Sequence, residues 1–365
     1  MKCNIICNFA APKKTSAMKD ISPHDIAELE KMLADAGSPV IVTHTKPDGD
    51  AMGSCTAMYH FLRASGKKCR IVLSDPFPAN LDFLTDGEDL TIFTEDAETA
   101  RDAIMSADLL ICLDFNAFRR TEHLEESLTA STAAKILIDH HLNPDAESFS
   151  LVFSETETSS ASELLYHILM KTSGISGDAS RLPAKAAEAL MTGMTTDTNN
   201  FANSVFPSTL QMASALLAAG VDRDRIITNI YNRHSESRLR LLGHALKDLM
   251  TITEDGVAYI VLDSRTLKEY DIQEGDTEGF VNMPLSIAKV RMSLLLKEDG
   301  DRIRVSIRSR KGTSANRCAR LHFNGGGHEN AAGGRLQIPE DVSGIEAAGE
   351  YIEKHTHIYL NSEEA

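Results

Sequence analysis

The sequence predicts an α/β protein: an N-terminal domain built on a parallel sheet with helices on both faces, a helical connector, and a smaller α+β C-terminal domain. Four near-continuous apolar runs between residues 39 and 141 are separated by helical stretches, the pattern of strands buried on both faces of a parallel sheet. Residues 160–253 then carry apolar side chains at helical spacing. From Gly256 the pattern changes to strands joined by a hairpin signal, and a chain of 365 residues is long enough for two domains.

The first 17 residues carry no periodic pattern and stop before Met18, which reads as a loose tail. A first domain is expected over 18–233, with strands in PVIVTHT (39–45), CRIVLSD (69–75), LLICLDF (109–115) and AKILIDHH (134–141), and a helix near 51–65. Helices follow in ASELLYHILM, PAKAAEALMTGM, STLQMASALLAAG and SRLRLLGHALKDLM, the last a connecting helix within 234–253. The second domain, 254–356, opens with GVAYIVLDS; VRMSLLLKE and DRIRVSIRSR then flank the turn Glu298-Asp299-Gly300-Asp301. A glycine-rich stretch, NGGGHENAAGG (324–334), and an amphipathic helix complete it.

Composition narrows the function. Hydrophobic residues at 42% and charged residues at 25% exclude disordered and fibrous classes. No apolar run is long enough to span a bilayer, and the N-terminal apolar stretch is broken by two asparagines, so the reading is cytoplasmic with no membrane partner. Six cysteines without a C-x-x-C pair argue against a disulfide framework. With 37 basic and 53 acidic side chains the net charge is −16, a field that repels a long polyanion unless positive charge is gathered locally.

Ligands of parallel α/β sheets collect at the carboxyl ends of strands. Here the first strand runs into His44-Thr45-Lys46-Pro47-Asp48-Gly49-Asp50, another ends at Asp114, a third at Asp139-His140-His141, and Asp197 closes a helix. Pro47 is expected to force Lys46 into an extended conformation and Gly49 to allow a sharp bend, letting His44, Asp48 and Asp50 point inward from one turn. Each feature alone has a plain structural reading: Asp and Gly make turns, Asp114 could cap a helix, and His140 and His141 could be half-buried core residues. Their conjunction favours a mixed nitrogen and oxygen ligand set that suits manganese better than structural zinc, with four carboxylates to balance two divalent cations.

These motifs resemble the DHH phosphoesterase superfamily, named for the triplet at Asp139-His140-His141. The first motif runs from His44 to Ser54, the second is Leu113-Asp114-Phe115-Asn116, and the fourth is Thr196-Asp197-Thr198-Asn199-Asn200-Phe201. Gly325-Gly326-Gly327-His328, followed by Ala331-Ala332-Gly333 and preceded by Ser306-Ile307-Arg308-Ser309, resembles the DHH-associated C-terminal domain. The resemblance covers about 36–335 and implies one metal held by His44, Asp48 and Asp114 and a second by Asp50, Asp114, His140 and Asp197. It further implies that His141 acts beside the transferred phosphoryl and that Asp139 orients a histidine. Asn199 and Asn324 stand where the family carries glycine; asparagine tolerates the left-handed conformation such turns need.

Between Arg291 and Arg320 nine basic side chains meet three acidic ones, so positive charge is indeed gathered. Alternation places Arg302, Arg304, Ser306, Arg308 and Arg310 on one strand face, either a solvated face or a phosphate grip. Arg308, Ser309, Gly325, Gly326, Gly327 and His328 are the candidate substrate-binding residues, the glycines exposing backbone N–H groups to a phosphate. The resemblance implies a metal-dependent hydrolase of very short oligoribonucleotides and of 3′-phosphoadenosine 5′-phosphate, with no long nucleic acid as partner and a homodimer by family habit only. Alternatives are a phosphodiesterase for linear products of cyclic dinucleotides and a catalytically silent RNA-binding module. Metal affinity is expected to fall as pH drops through the ordinary histidine range near 6.5.

Overall fold

A computed structural model describes residues 20–85, 89–273 and 275–362; the 1–17 tail lies outside the described residues. The chain forms two compact units that divide between Asn232 and Arg233. Among the described residues no helix is long and apolar enough to cross a membrane.

In the first unit the order is α1 (Pro23–Asp35), β1 (Pro39–Val42), α2 (Gly49–Ala64), β2 (Arg70–Leu73), β3 (Leu90–Ile92), α3 (Ala97–Ser106) and β4 (Leu109–Leu113). It continues with α4 (Glu125–Ala130), β5 (Ala134–Asp139), β6 (Leu151–Ser154), α5 (Ala161–Lys171), α6 (Ala184–Asp197), α7 (Pro207–Ala218) and α8 (Arg223–Tyr231). All six strands pair in parallel in the order β3-β2-β1-β4-β5-β6. The expected strands are present; β3 and β6, which pattern reading passed over, are the short edge strands and carry no long apolar run.

The unbroken apolar runs have a direct cause. Ile41, Ile71, Ile111 and Ile136 enter one core with α1, α2, α5 and α6, while Val40, Val42, Val72, Leu110 and Leu137 enter another with α3 and α4. Successive side chains of one strand thus fill two cores, so neither parity can be polar. The strand order reverses between β1 and β4, and ligands of open α/β sheets bind outside the carboxyl ends of strands at such a switch point.

Glycines set how close α2 and α6 come. A Cβ on Gly53 would lie 2.7 Å from the Ala189 carbonyl oxygen and 2.8 Å from Gly193 backbone atoms, and one on Gly49 would lie 2.4 Å from the Thr196 side chain. Gly49 therefore serves helix contact as the first residue of α2, and the bend expected there is not its role. The extended conformation expected for Lys46 is also corrected: its φ is 50°. The preproline clash removes the right-handed helical region. The left-handed alternative is held because the Lys46 amide donates to Asp75 Oδ2 at 3.1 Å and the Thr45 hydroxyl donates to the same oxygen.

The second unit runs α9 (Glu236–His244), β7 (Met250–Ile252), β8 (Val257–Leu262), α10 (Ser264–Glu269), β9 (Met292–Asp299), β10 (Arg302–Ser309), α11 (Ala315–His322), β11 (Gly326–His328), β12 (Ala331–Gln337) and α12 (Ala348–Leu360). Its sheet order is β11-β12-β10-β9-β8-β7, antiparallel except for the β8–β9 pair. The connecting helix expected within 234–253 is helical only to Leu249, and its last residues form β7 instead. One sheet face packs on α11 and α12 through Leu294, Val305, Ile307 and Leu336. Asn199 and Asn324 have φ of 45° and 47°, the left-handed turns expected of them.

Two alanine substitutions separate a close approach from simple helix flexibility. Gly53→Ala pushes a methyl into the backbone of α6 and is expected to destabilise the protein by roughly 1–3 kcal/mol. Gly243→Ala, in α9 with nothing within 4 Å of the added Cβ, is expected to stabilise it by roughly 0.5–1 kcal/mol. Urea unfolding followed by circular dichroism reads both; equal effects would refute the contact argument.

Candidate metal centre

The residues flagged at the strand ends converge beyond β1, β4 and β5. Asp48 caps α2, accepting from the amides of Asp50 and Ala51 through Oδ1 at 3.0 and 3.1 Å. Its neighbour Asp50 is buried in the first turn of α2, and its carboxylate also receives the start of α5: Ala161 N donates to Oδ2 at 2.6 Å and Ser162 N to Oδ1 at 2.9 Å. A helix N-terminus thereby stabilises this buried charge. Gly193 makes the approach feasible, since a Cβ there would lie 2.0 Å from Ser162 Oγ and 2.8 Å from Asp50 Oδ1.

Asp114 follows β4 with φ 63° and is buried; a helix cap it is not. The left-handed backbone is a strained state that polar residues near active sites tolerate best. His44 Nδ1 donates to the Thr45 carbonyl at 2.8 Å, which leaves Nε2 facing Asp114 Oδ2 at 3.4 Å. His140 Nε2 stands 3.5 Å from Asp114 Oδ1, 3.6 Å from Asp197 Oδ2 and 3.9 Å from Asp50 Oδ2. His141 Nδ1 instead meets Asp139 Oδ1 at 2.7 Å, and the His141 amide donates to Asp139 Oδ2 at 3.1 Å.

Ligand atoms of His44, Asp48 and Asp114 lie within 4.8 Å of one another, as do those of Asp50, Asp114 and His140. Two observations fit cations in these groups. Asp114 Oδ1 is buried and makes no contact of hydrogen-bond geometry, its ring neighbours being His140 Nε2 at 3.5 Å and His141 Nδ1 at 3.7 Å, a spacing that leaves room for a cation between them. The imidazole-to-carboxylate separations are also long for hydrogen bonds, yet two ligands bonded at ~2.1 Å to one ion at ordinary angles stand ~3.0–3.4 Å apart.

Electrostatics reflects the crowding. Burial opposes charge on His44, but the hydrogen bond to Asp114 and the charges of Asp114 and Asp48 outweigh it and hold its pKa up at about 8. For His140 the same opposition by burial is overcome by the hydrogen bond to Asp114 and by Asp197, Asp114 and Asp50, raising it to about 10. Burial acts to raise Asp114, yet the adjoining rings of His140, His44 and His141 hold it well below the usual carboxylate range. Burial and the neighbouring carboxylates push Asp50 well above that range and Asp197 up to about 7.

In the second unit, Gly326, Gly327 and His328 pair with Gly333, Ala332 and Ala331, forming an edge strand in place of the open loop expected. The glycines there serve backbone packing: a Cβ on Gly325 would lie 1.9 Å from the Gly333 carbonyl oxygen. Arg308 sits on the half-buried face of β10, its Nη1 donating to the Ile307 carbonyl at 3.0 Å. Ser309 lies on the opposite, core side, its hydroxyl donating to the Thr313 carbonyl at 2.6 Å and accepting from Asn330.

Sequence reasoning passed over Asp75 and Glu163. Asp75 anchors the Thr45–Lys46 turn. Glu163 is buried; burial opposes its charge, but hydrogen bonds from His167, Ser159, Ser208 and Thr209 outweigh it and hold its pKa down at about 2. It accepts from the Ser159 amide and hydroxyl and from the Thr209 hydroxyl, fixing the start of α5 against Asp50. The spacing of Ser160, which caps α5, and Glu163 is the helix-start signal that would have marked this segment.

The model of the DHH family, N-terminal domain, matches residues 39–194, and that of the DHHA1 domain matches residues 254–354. A Thermus thermophilus protein named bifunctional oligoribonuclease and PAP phosphatase NrnA is 31% identical, the match covering 84% of this chain and 87% of that protein. The chain belongs to the DHH family of phosphoesterases. A Bacillus subtilis protein of the same name is 26% identical over 91% of this chain and 96% of its own length. The crystal structure of an exopolyphosphatase-related protein from Bacteroides fragilis superposes with a TM-score of 0.86 at 37% identity, covering 94% of this chain and 98% of that one. DHH phosphoesterases are metal-dependent, in keeping with the ligand groups described above.

Proton linkage supplies a test. With His44 near 8 and His140 near 10, both rings are protonated at neutral pH before a cation binds. A bound cation needs each Nε2 unprotonated, so binding releases protons and affinity rises as pH increases through about 8, above the ordinary histidine range first expected. Calorimetry of manganese binding in buffers of different ionisation enthalpy should show a buffer-dependent heat. A buffer-independent heat with constant affinity from about pH 6 to about pH 9 would refute the linkage.

Proposed function

We propose that this chain is a two-metal hydrolase that cleaves very short oligoribonucleotides to mononucleotides and 3′-phosphoadenosine 5′-phosphate to AMP. The observation that carries the reading is the buried Asp114 carboxylate, shared by two ligand groups at the switch point of the sheet and held off its neighbouring imidazoles at 3.4–3.5 Å. The activity named for the two NrnA relatives, whose matches span most of this chain, supports the substrate class.

In this reading His44, Asp48 and Asp114 hold one divalent cation, and Asp50, Asp114, His140 and Asp197 hold the other, manganese being our choice for both. When bound, the pair supplies Lewis acidity and a water of lowered pKa beside the phosphorus. The four aspartates keep the site electrically balanced once the histidine protons have left. Asp139 keeps the proton on His141 Nδ1 and stabilises the imidazolium, so His141 Nε2 can donate to the phosphoryl or to the leaving oxygen. Arg308, the backbone of Gly326 and Gly327 and His328 are assigned to a phosphate of the substrate, whereas the Gly325 amide donates to the Ala319 carbonyl at 3.2 Å. Ser309 contributes by holding the 309–313 turn.

The reading sets a clear assay: a 5′-phosphorylated RNA dinucleotide, 3′-phosphoadenosine 5′-phosphate and an RNA of two dozen nucleotides, each with manganese and with chelator. The two small substrates should turn over rapidly with manganese only, and the long RNA slowly. Asp114→Ala should lower both small-substrate activities by more than about 100-fold. Asp139→Asn should lower kcat by about 10- to 100-fold while manganese affinity holds. Turnover of none of the three by the wild-type chain would reject the hydrolase reading in favour of RNA binding alone.

A further inference from the structure

The crevice at the switch point is walled by the segments that follow β1 and β4, and the two walls are joined. The Thr45 amide donates to the Arg120 carbonyl at 2.8 Å, so the turn Phe118–Leu124 lies directly against the residue after His44. Several contacts hold that turn in shape. The Arg120 amide donates to the Ala117 carbonyl at 3.0 Å, the Thr121 hydroxyl donates to the Phe118 carbonyl at 2.7 Å, and Leu124 is buried in the core with α3 and α4. His123 stacks on Phe93 with ring centroids 5.5 Å apart, and its Nε2 stands 4.0 Å from Asp75, the carboxylate that anchors Thr45 and Lys46.

Arg120 is therefore fixed at the edge of the ligand cluster, half-buried. Burial, and after it the Arg120 guanidinium, oppose charge on His44, although Asp114 and Asp48 outweigh both. The guanidinium is thus within electrostatic reach of the ligands, yet among the described residues it makes no hydrogen bond or ion pair with them or with any other side chain. A half-buried cation loses hydration, and here no carboxylate of a chain of net charge −16 offsets that loss. An anionic ligand would. Asp114 Oδ2 faces His44, on the Arg120 side, whereas Asp114 Oδ1 faces His140 and His141. The neighbouring Arg119 differs, being exposed and lining a separate cleft with Phe118, Glu125 and Asp145.

We propose that Arg120 is a further catalytic residue of this site, its guanidinium taking a non-bridging oxygen of the scissile phosphate. The inference rests on the functional reading above and adds a donor on the side of Asp114 opposite His141. Negative charge in phosphoryl transfer is spread over the non-bridging oxygens, and a planar fork of N–H donors already in place stabilises it without reorganisation. The two donors divide the work. His141 gives up its proton during the reaction, whereas the guanidinium keeps its charge throughout.

Binding and turnover can be read separately on the full chain. In calorimetric titration of inorganic phosphate into the manganese-loaded protein, Arg120→Gln should bind phosphate about 10-fold more weakly. Its manganese affinity should stay the same or tighten, since a like charge is removed, and its thermal midpoint should match the wild type, since no contact within the protein is lost. Its kcat/KM for both small substrates should fall by about 100-fold. Arg120→Lys, which keeps the charge and loses the fork, should recover about 10-fold of that loss. Arg119→Gln removes an exposed, screened charge one residue away and should leave phosphate affinity and turnover within about twofold of the wild type. Unchanged phosphate affinity and turnover in Arg120→Gln, a parallel loss of manganese affinity, or an equal loss in Arg119→Gln would overturn the proposal. Phosphate binding that depends on Arg120, with no hydrolysis of any substrate by the wild-type chain, would overturn the functional reading and leave Arg120 assigned to phosphate.

Discussion

The organising constraint of the first unit is the need to hold several carboxylates together in a space with little water. Asp50 and Asp114 are buried, Asp197 is largely so, and His140 lies within 4 Å of all three. Unpaired charges cannot be buried at that density. The protein meets the problem with every means short of a cation: two raised histidines, a raised Asp197, and two amides of α5 directed at Asp50. Even so, Asp114 Oδ1 makes no contact of hydrogen-bond geometry, its nearest ring nitrogens standing 3.5 and 3.7 Å away.

Much of the surrounding architecture exists to permit this crowding. Gly49 and Gly53 on α2, with Gly193 on α6, let two helices approach until the carboxyl end of one meets the amino end of the other. That contact delivers Asp197 to Asp48 and Asp50. Glu163 secures the start of α5 from behind, and Asp75 holds the left-handed Lys46. Of these five supports only Asp75 is a ligand-type residue following a strand, and it holds the Thr45–Lys46 turn. Their effect is to remove freedom from the ligands, which is how a scaffold makes a site selective for ions of particular size and geometry.

Legibility in the sequence followed the range of the interaction. The central strands were readable because burial on both faces leaves an unbroken apolar run, and His44, Asp48, Asp50, Asp114, His140 and Asp197 stood out as ligand-type residues that follow strands, open α2 or close α6. The edge strands β3 and β6 were not: β3 spans only three residues, and β6, as long as β1, is buried at alternate positions only. Gly49 was read as a bend when its purpose is a contact with Thr196, some 150 positions away, and no local rule contains that information. Lys46 shows the same limit: the preproline rule describes a local preference, and Asp75, brought in by β2, overrides it. The glycine stretch at 325–327 was read as an open loop because pairing with β12 is a tertiary fact.

Charge patterning reveals the limit in its sharpest form. Periodicity along β10 marked a basic face, yet two of its arginines are occupied by Asp299 and by backbone carbonyls. Lys297 and Arg335 stand opposite Arg304, on strands that precede and follow β10 in the chain. The face is therefore a property of strand register. In the first unit β4 ends in a left-handed Asp114 and α2 begins with a buried carboxylate. There local stability is given up for a charge arrangement that suits a ligand of opposite sign.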